Sequence, residues 1–279
     1  MLQFDACHIR PASIMTASSS GLIFSALAEE QADKAVRSLA QRRNRHNAIH
    51  ATRKAIRRLR SILSLCHQAL DPEASAIDRG LRRVASSLSG LRDAHAVSAT
   101  ASQLAEGIDR DLWLDVAARL EARRDALLVD EMSKDPKFVK RCARLSALAS
   151  AVVALPWQRL SKRYLEEGMA RSTRRVAKAK RAFEQEPNPA NRHRWRRRVR
   201  RLRMQTQMIQ AASRAAPSLL GFRRDYSCTS VQALNRLSDR LAKTQDLRML
   251  QRSLIVLDKD LPLPRLRRRI RAEVNFASV

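Results

Sequence analysis

A short basic segment occurs twice in this chain, 143 positions apart. The first copy begins at His50 and reads His-Ala-Thr-Arg-Lys-Ala-Ile-Arg-Arg-Leu-Arg. The second begins at His193 and reads His-Arg-Trp-Arg-Arg-Arg-Val-Arg-Arg-Leu-Arg. Residues 34–70 and 187–224, which surround the copies, contain no Asp or Glu. Exposed helices usually interleave acidic and basic side chains, because like charges four residues apart repel. The repeat therefore predicts two equivalent helices whose surface suits a long anion.

Both copies have the spacing of an amphipathic helix. At about 100° per residue, each copy places its basic side chains on one stripe about 120° wide, next to an apolar stripe about 100° wide. The basic stripes, called the two basic ladders below, contain His50, Arg53, Lys54, Arg57 and Arg60 in the first copy and His193, Arg196, Arg197, Arg200 and Arg203 in the second. If the two halves of the chain face each other about a pseudo-two-fold axis, both ladders line one cleft, where their potentials add.

The composition is typical of an all-α protein. Only six Gly and nine Pro occur in 279 residues, and no alternating strand pattern is found. A weaker correspondence between residues 88–97 and 241–250 supports an internal duplication, with halves at 21–155 and 156–279 after a loose tail over 1–20. We predict helices near 22–41, 46–70, 74–105, 110–132, 137–154, 160–185, 190–213, 217–258 and 265–276.

The charge favours oxyanion partners. The formal net charge is +28, and Arg outnumbers Lys by 45 to 10. A guanidinium binds phosphate through two parallel hydrogen bonds, whereas an ammonium is a compact point charge. The four cysteines have neither metal-binding nor disulfide spacing, which fits a reducing compartment. No run of about 18 apolar residues occurs, so no membrane span is expected, and a signal peptide is not expected either.

The order of these motifs resembles a known family. The pattern His-x-x-Arg-(Lys/Arg)-x-x-Arg-Arg-Leu-Arg, followed by Leu-(Ser/Gly)-Gly-x-Arg-Asp-x-x-x-Val, is similar to the CHAD domain, the conserved-histidine α-helical domain. The resemblance covers about residues 21–279. It implies two pseudo-symmetric four-helix bundles around a basic central channel that binds inorganic polyphosphate on granules in the bacterial cytoplasm. The acidic Glu-x-Glu-x-Lys strand of the enzyme domains often fused to CHAD domains is absent, so the chain resembles the stand-alone, phosin-like members.

The ladders and the family motifs together give the candidate site. Additional basic residues are spaced three and four apart on the helix that precedes the second copy. The predicted polyphosphate-binding residues are His50, Arg53, Lys54, Arg57, Arg58, Arg60, Arg92, Arg171, Arg174, Arg175, Lys178, His193, Arg196, Arg197, Arg200, Arg201, Arg203 and Lys243.

Two carboxylates and two histidines are assigned supporting roles. We expect Asp93 and Asp246 to orient an Arg or His by a charge-assisted hydrogen bond rather than to touch the ligand. Asp246 follows Lys-Thr-Gln where the family often has an Arg or His before the Asp, so the second Arg-Asp contact is in question. His50 and His193 could serve as general bases or play a structural role, but donors to phosphate oxygens are the favoured interpretation.

Three functions compete at this point. Polyphosphate binding is preferred, with enzymes of polyphosphate metabolism as further partners. A nonspecific, nucleoid-associated nucleic-acid binder is the alternative, because so basic a protein should bind DNA weakly at low salt. An enzyme of phosphoanhydride chemistry usually needs carboxylate-held metals, and neither a phosphate-binding loop nor a metal-binding spacing is found. We therefore expect no catalytic residue, no metal and no cofactor.

Overall fold

The computed structural model describes residues 19–215, 228–257 and 261–278. Within these ranges the chain forms α-helices and two short 3-10 helices, Pro136–Phe138 and Trp157–Arg159, and no β-strand. The all-α prediction is thus confirmed for the part of the chain described. The helices are α1 Ser19–Ala40, α2 Arg45–Leu65, α3 His67–Leu70, α4 Glu73–Ser87, α5 Ser89–Leu104, α6 Arg110–Lys134, α7 Val139–Val153, α8 Lys162–Gln185, α9 Pro189–Ala215, α10 Cys228–Leu257 and α11 Leu263–Ser278.

Two helices predicted as continuous are divided in the structure. The predicted helix 46–70 is interrupted at Cys66, and the predicted helix 74–105 is interrupted at Leu88. Leu88 is fully buried, and the break there lets α4 and α5 pack in different places. Periodicity alone misses such a break, because buried apolar residues continue on both sides of it. The prediction of a tail over residues 1–20 is wrong at its end, since Ser19 and Ser20 begin α1 and Ser20 is buried. Residues 1–18 of the predicted tail, and residues 217–227 and 258 of a predicted helix, lie outside the described residues.

The apolar side chains form two clusters. The first joins α1, α2, α4 and α7 to α8 and α9, and it includes Phe24, Leu59 and Ile62. The second joins α5 and α6 to α10 and α11, and it includes Trp113 and Leu250. Each cluster therefore takes helices from both halves of the sequence, so the two halves are held together by shared cores.

Helix pairs recur in the two halves. α1 packs on α2 as α8 packs on α9, and α5 packs on α6 as α10 packs on α11. The equivalent helices also contact each other, α2 with α9 and α5 with α10. Ser61 and Met204, which hold equivalent positions in the two copies, meet at this contact, with 3.9 Å between Oγ and Sδ. The two helices that carry the basic ladders thus lie side by side.

A glycine allows α8 to approach the end of α2. A Cβ atom on Gly168 would collide with the backbone carbonyl oxygen of Leu65. Backbone atoms cannot move aside as a flexible side chain can, so the close approach depends on the absence of a side chain. Gly90, also helical, is different, because a Cβ there would meet only Leu127 Cδ2 at 3.9 Å.

We predict that Gly168→Ala lowers the free energy of unfolding by about 1–3 kcal/mol, because the added methyl group forces α8 away from α2. Gly90→Ala is the matched control and should leave stability unchanged or raise it by up to about 1 kcal/mol, the helix-propensity gain. Urea unfolding followed by circular dichroism measures both. Equal stability of the two variants would contradict the close packing of α8 on α2.

Candidate functional site

Arginines of both ladders meet where α2 and α9 lie side by side. Arg57 and Arg200 hold equivalent positions in the two copies, and they are largely buried among other guanidinium groups. Burial, reinforced by Arg57 and Arg196, lowers the pKa of Arg200 to about 8. Burial, reinforced by Arg92 and Arg53, lowers the pKa of Arg57 to about 10. Both groups remain protonated at pH 7, so the cluster holds concentrated positive charge that an anion would neutralise.

The second pair of equivalent helices adds an Arg-Asp group to this cluster. On α5, Arg92 Nη1 donates to Asp93 Oδ1 at 2.9 Å, and Arg92 Nη2 lies 3.8 Å from Asp246 Oδ1 on α10. Burial raises the pKa of Asp246, while Arg92 and Arg196 act in the opposite direction. Arg196 is itself buried and is influenced by both aspartates. Asp93 thus has the expected hydrogen bond to Arg92, whereas Asp246 Oδ1 lies near Arg92 without a hydrogen-bond partner among the described residues.

A groove continues from the cluster towards α4. It has a volume of about 240 Å³, and its walls also include Ser61 and Met204. Arg60 is held at this groove by Asp78, with Nε at 2.7 Å from Oδ1 and Nη2 at 3.0 Å from Oδ2. Arg201 Nη1 donates to Ser64 Oγ at 3.3 Å. The arginines that line the groove, called the arginine groove below, are Arg57, Arg60, Arg82, Arg197, Arg198, Arg200 and Arg201.

Sequence reasoning missed two residues of the arginine groove, Arg82 and Arg198. Arg82 lies on α4 in a stretch, 79–92, that contains no Asp or Glu, and this local absence of acids was the available signal. Arg198 falls outside the ladder stripe of α9. It is close enough to α8 for Arg175 to lower its pKa, after the larger effect of burial. A helical wheel cannot find such a residue, because its position depends on a neighbouring helix.

The remaining predicted binding residues either pair with groups outside the cluster or are exposed. Burial and Arg175 lower the pKa of Arg171, which also donates to Gln68, and Arg174, Arg175 and Lys178 are exposed on α8. Arg203 pairs with Asp239 at 3.0 Å, and Lys243 pairs with Glu273 at 2.9 Å. Arg53 donates to the Ala85 carbonyl oxygen. Lys54 is exposed on α2, and Arg58 lines a separate apolar cavity.

The two repeated histidines lie at the margins of the cluster. Partial burial, followed by Arg57 and Arg92, lowers the pKa of His50. Partial burial, followed by Arg196, lowers the pKa of His193. Both imidazoles are thus expected to be neutral at pH 7 in the protein alone and to gain a proton when an anion binds nearby.

A second histidine pair lies near His50. The rings of His46 and His95 stack with centroids 5.7 Å apart, and His46 Nε2 lies 2.8 Å from Asp125 Oδ1. His46 is therefore engaged by a ring and a carboxylate rather than by His50. Over the described residues, no group of three His, Cys, Asp or Glu side chains is arranged to hold a metal ion.

These features define a class: an all-α protein in which two equivalent helices bring arginines together in a partly buried cluster. The chain belongs to the CHAD domain family, whose sequence profile matches residues 26–255. No curated protein matches the chain by sequence. Over the described parts, no helix combines the length and apolarity that crossing a membrane requires.

Two solved structures have a similar fold. The CHAD domain from the plant Ricinus communis aligns with a TM-score of 0.64 at 18% identity, over 96% of this chain and 89% of the other. PptA from Streptomyces chartreusis aligns with a TM-score of 0.60 at 16% identity, over 93% of this chain and 96% of the other. At these identities the likeness concerns the fold and not the individual site residues.

The crowded arginines are expected to lower the free energy of unfolding of the protein. We expect Arg200→Gln to raise the free energy of unfolding of the empty protein by about 1 kcal/mol, because it removes a poorly compensated, largely buried charge. Arg181→Gln, at an exposed position on α8, should have no measurable effect. Thermal and urea unfolding at low salt would measure both variants. A loss of stability in Arg200→Gln would contradict the view that the empty cluster is electrostatically unfavourable.

Proposed function

We propose that this protein binds inorganic polyphosphate along the arginine cluster and groove, and that it acts in the cytoplasm on polyphosphate granules as a binding protein without catalytic activity. The observation that carries the proposal is the meeting of Arg57 and Arg200. Two equivalent helices bring equivalent guanidinium groups together, and a multiply charged anion bound between them would offset the resulting repulsion. Membership of the CHAD domain family supports the same function.

The shape of the site supports a thin chain of phosphates. The arginine groove has a volume of only about 240 Å³ and is lined by residues of α2, α4 and α9. Guanidinium groups at its walls can each take two oxygens of a phosphate. A nucleic-acid duplex is far wider than this groove and would meet it only at its rim. A phosphate chain, whose successive charged groups are close together, can lie within it.

The proposal includes pseudo-symmetry between the halves 21–155 and 156–279, as two helical bundles that share the basic channel. The recurring helix pairs and the contact between Ser61 and Met204 support a two-fold axis near the centre of the site. The two ends of linear polyphosphate are chemically identical, so it can lie across such an axis in either direction. A single nucleic-acid strand has a direction and would present different groups to the two halves.

The carboxylates near the site support binding rather than hydrolysis. Asp78 is paired with Arg60, and Asp93 and Asp246 flank Arg92. Phosphoryl transfer usually relies on carboxylates that hold divalent metals, and carboxylates paired with guanidinium groups are poorly disposed to do so. Enzymes that make or degrade polyphosphate are the protein partners that this function would bring into contact.

The direct test compares two double variants of equal net charge. Arg57→Gln/Arg200→Gln removes the central pair, and Arg144→Gln/Arg181→Gln removes two exposed arginines from α7 and α8. At about 150 mM salt we expect the first to weaken binding of long-chain polyphosphate by at least about 100-fold, since each of the two lost charge-assisted contacts is worth about 1.5–3 kcal/mol. The second should weaken it by less than about threefold. Equal losses, measured by calorimetry, would mean that only net charge matters.

We also predict that polyphosphate binds more tightly as the pH falls from about 8 to about 6. The pKa values of His50 and His193 are lowered in the empty protein. A bound polyanion raises them, so binding takes up protons and is favoured at lower pH. Long chains are required for the measurement, because only their terminal phosphates titrate in this range.

The variant His50→Gln/His193→Gln should flatten this pH dependence. His67→Gln, a change at an exposed histidine paired with Asp71, is the control and should keep it. His95, whose pKa is also lowered and whose charge acts on His50, remains in these variants and accounts for a residual slope. The same pH profile in all three proteins would show that the repeated histidines take no part in binding.

A further inference from the structure

A large cavity lies beside the arginine groove, between α1, α2, α9 and α10. Its volume is about 650 Å³, which is in the range of small-molecule sites. Its walls are mainly apolar, formed by Leu27, Ile62, Met208 and Val231. Met204 lines both this cavity and the arginine groove. The two spaces are therefore neighbours, but they differ in chemistry.

One wall of the cavity carries a buried polar atom without a hydrogen-bond donor in the described part of the chain. Gln31 lines the wall and is 6% exposed. Among the described residues, its Oε1 has no hydrogen-bond donor. A buried acceptor without a donor costs about 1–3 kcal/mol, so such atoms are usually satisfied by protein, water or ligand. A ligand that carries a hydroxyl or N–H group would satisfy Oε1 from within the cavity.

The rim of the cavity carries a net positive charge. Arg58 of α2 and Arg214 of α9 lie there, with Glu30 of α1 as the single carboxylate among the described residues of the rim. Arg214 is exposed, and its Nε donates to Gln210 O of its own helix at 3.3 Å, which leaves its two Nη groups available to the rim. Two guanidinium groups beside one carboxylate favour a ligand with one negative charge at its end.

We propose that this cavity binds a hydroxylated medium-chain carboxylic acid. Its carboxylate lies at Arg58 and Arg214, its hydroxyl donates to Gln31 Oε1, and its alkyl chain packs against Leu27, Ile62 and the methionines. Flexible thioether side chains adapt to such a chain, which makes a methionine-lined wall suitable. This binding is independent of polyphosphate, because the apolar walls offer nothing to a phosphate chain.

The probes are 3-hydroxydecanoate, decanoate and decyltrimethylammonium, each below its micelle concentration. Calorimetry should rank them in that order, with 3-hydroxydecanoate at least threefold tighter than decanoate and the cation not bound. Methyl NMR of the protein labelled at methionine gives the location. The Met204 and Met208 signals should move, while the Met132 and Met169 signals stay. Binding that leaves Met204 and Met208 unmoved would overturn the proposal.

Three variants test the separate contacts. Gln31→Leu should abolish the preference for the hydroxylated acid. Arg214→Gln should weaken both acids about tenfold, while Arg181→Gln, on the exposed face of α8, should not. Ala211→Phe fills the cavity and should abolish binding, while Ala177→Phe, at an exposed position, should not.

The outcomes are distinguishable. Failure of wild-type protein to bind either acid would mean that the cavity does not admit an alkyl chain, and the proposal would be wrong. Equal binding by the Ala211→Phe protein would mean adsorption to the basic surface, and the proposal would again be wrong. If Ala211→Phe does not fold, the exposed pair Arg214→Gln and Arg181→Gln still decides the outcome.

Discussion

The repulsion between arginines on α2 and α9 is the constraint on which the rest of the structure depends. Burial in the company of like charges lowers the pKa values of Arg57 and Arg200, so the ladders alone would push the helices apart. Apolar packing offsets this repulsion. Leu59, Ile62 and Leu202 lie in the same cluster, which joins both helices to α1 and α8. Hydrophobic burial, at about 25 cal/mol per Å², can hold charges together that would otherwise separate.

The second apolar cluster has a related role. It holds α5 against α10, and this contact brings Arg92 of one helix to Asp246 of the other. The carboxylates beside Arg92 thus come from the equivalent Asp positions of the two halves, whereas Asp78 pairs with Arg60 at the groove. They partly compensate the arginines without neutralising them. Such an arrangement leaves net positive charge at the cluster, as the proposed binding of a polyanion requires.

Much of this could be read from the sequence, because the relevant information is local. The ladder residues follow from helical spacing, and the acid-free segments indicate α2 and α9 as the helices that carry most of the arginine cluster. The contacts between helices could not be predicted from the sequence. Arg82 and Arg198 reach the groove from α4 and from the side of α9, whereas Arg58 faces an apolar cavity. Lys243 lies within the predicted site in sequence, but it pairs with Glu273 of α11. The break at Leu88 likewise depends on packing, because α4 packs in the first apolar cluster and most of α5 packs in the second.

We propose that the arginines form a shaped site for phosphate chains and not merely a basic surface. The most direct measurement is a competition at about 150 mM salt, where nonspecific polyelectrolyte binding is strongly weakened. Long-chain polyphosphate and duplex DNA of matched total charge would compete for the wild-type protein, followed by fluorescence. The structure predicts that polyphosphate displaces DNA at a concentration at least tenfold below that at which DNA displaces polyphosphate. Equal displacement would contradict the claim and would make nonspecific nucleic-acid binding the better description.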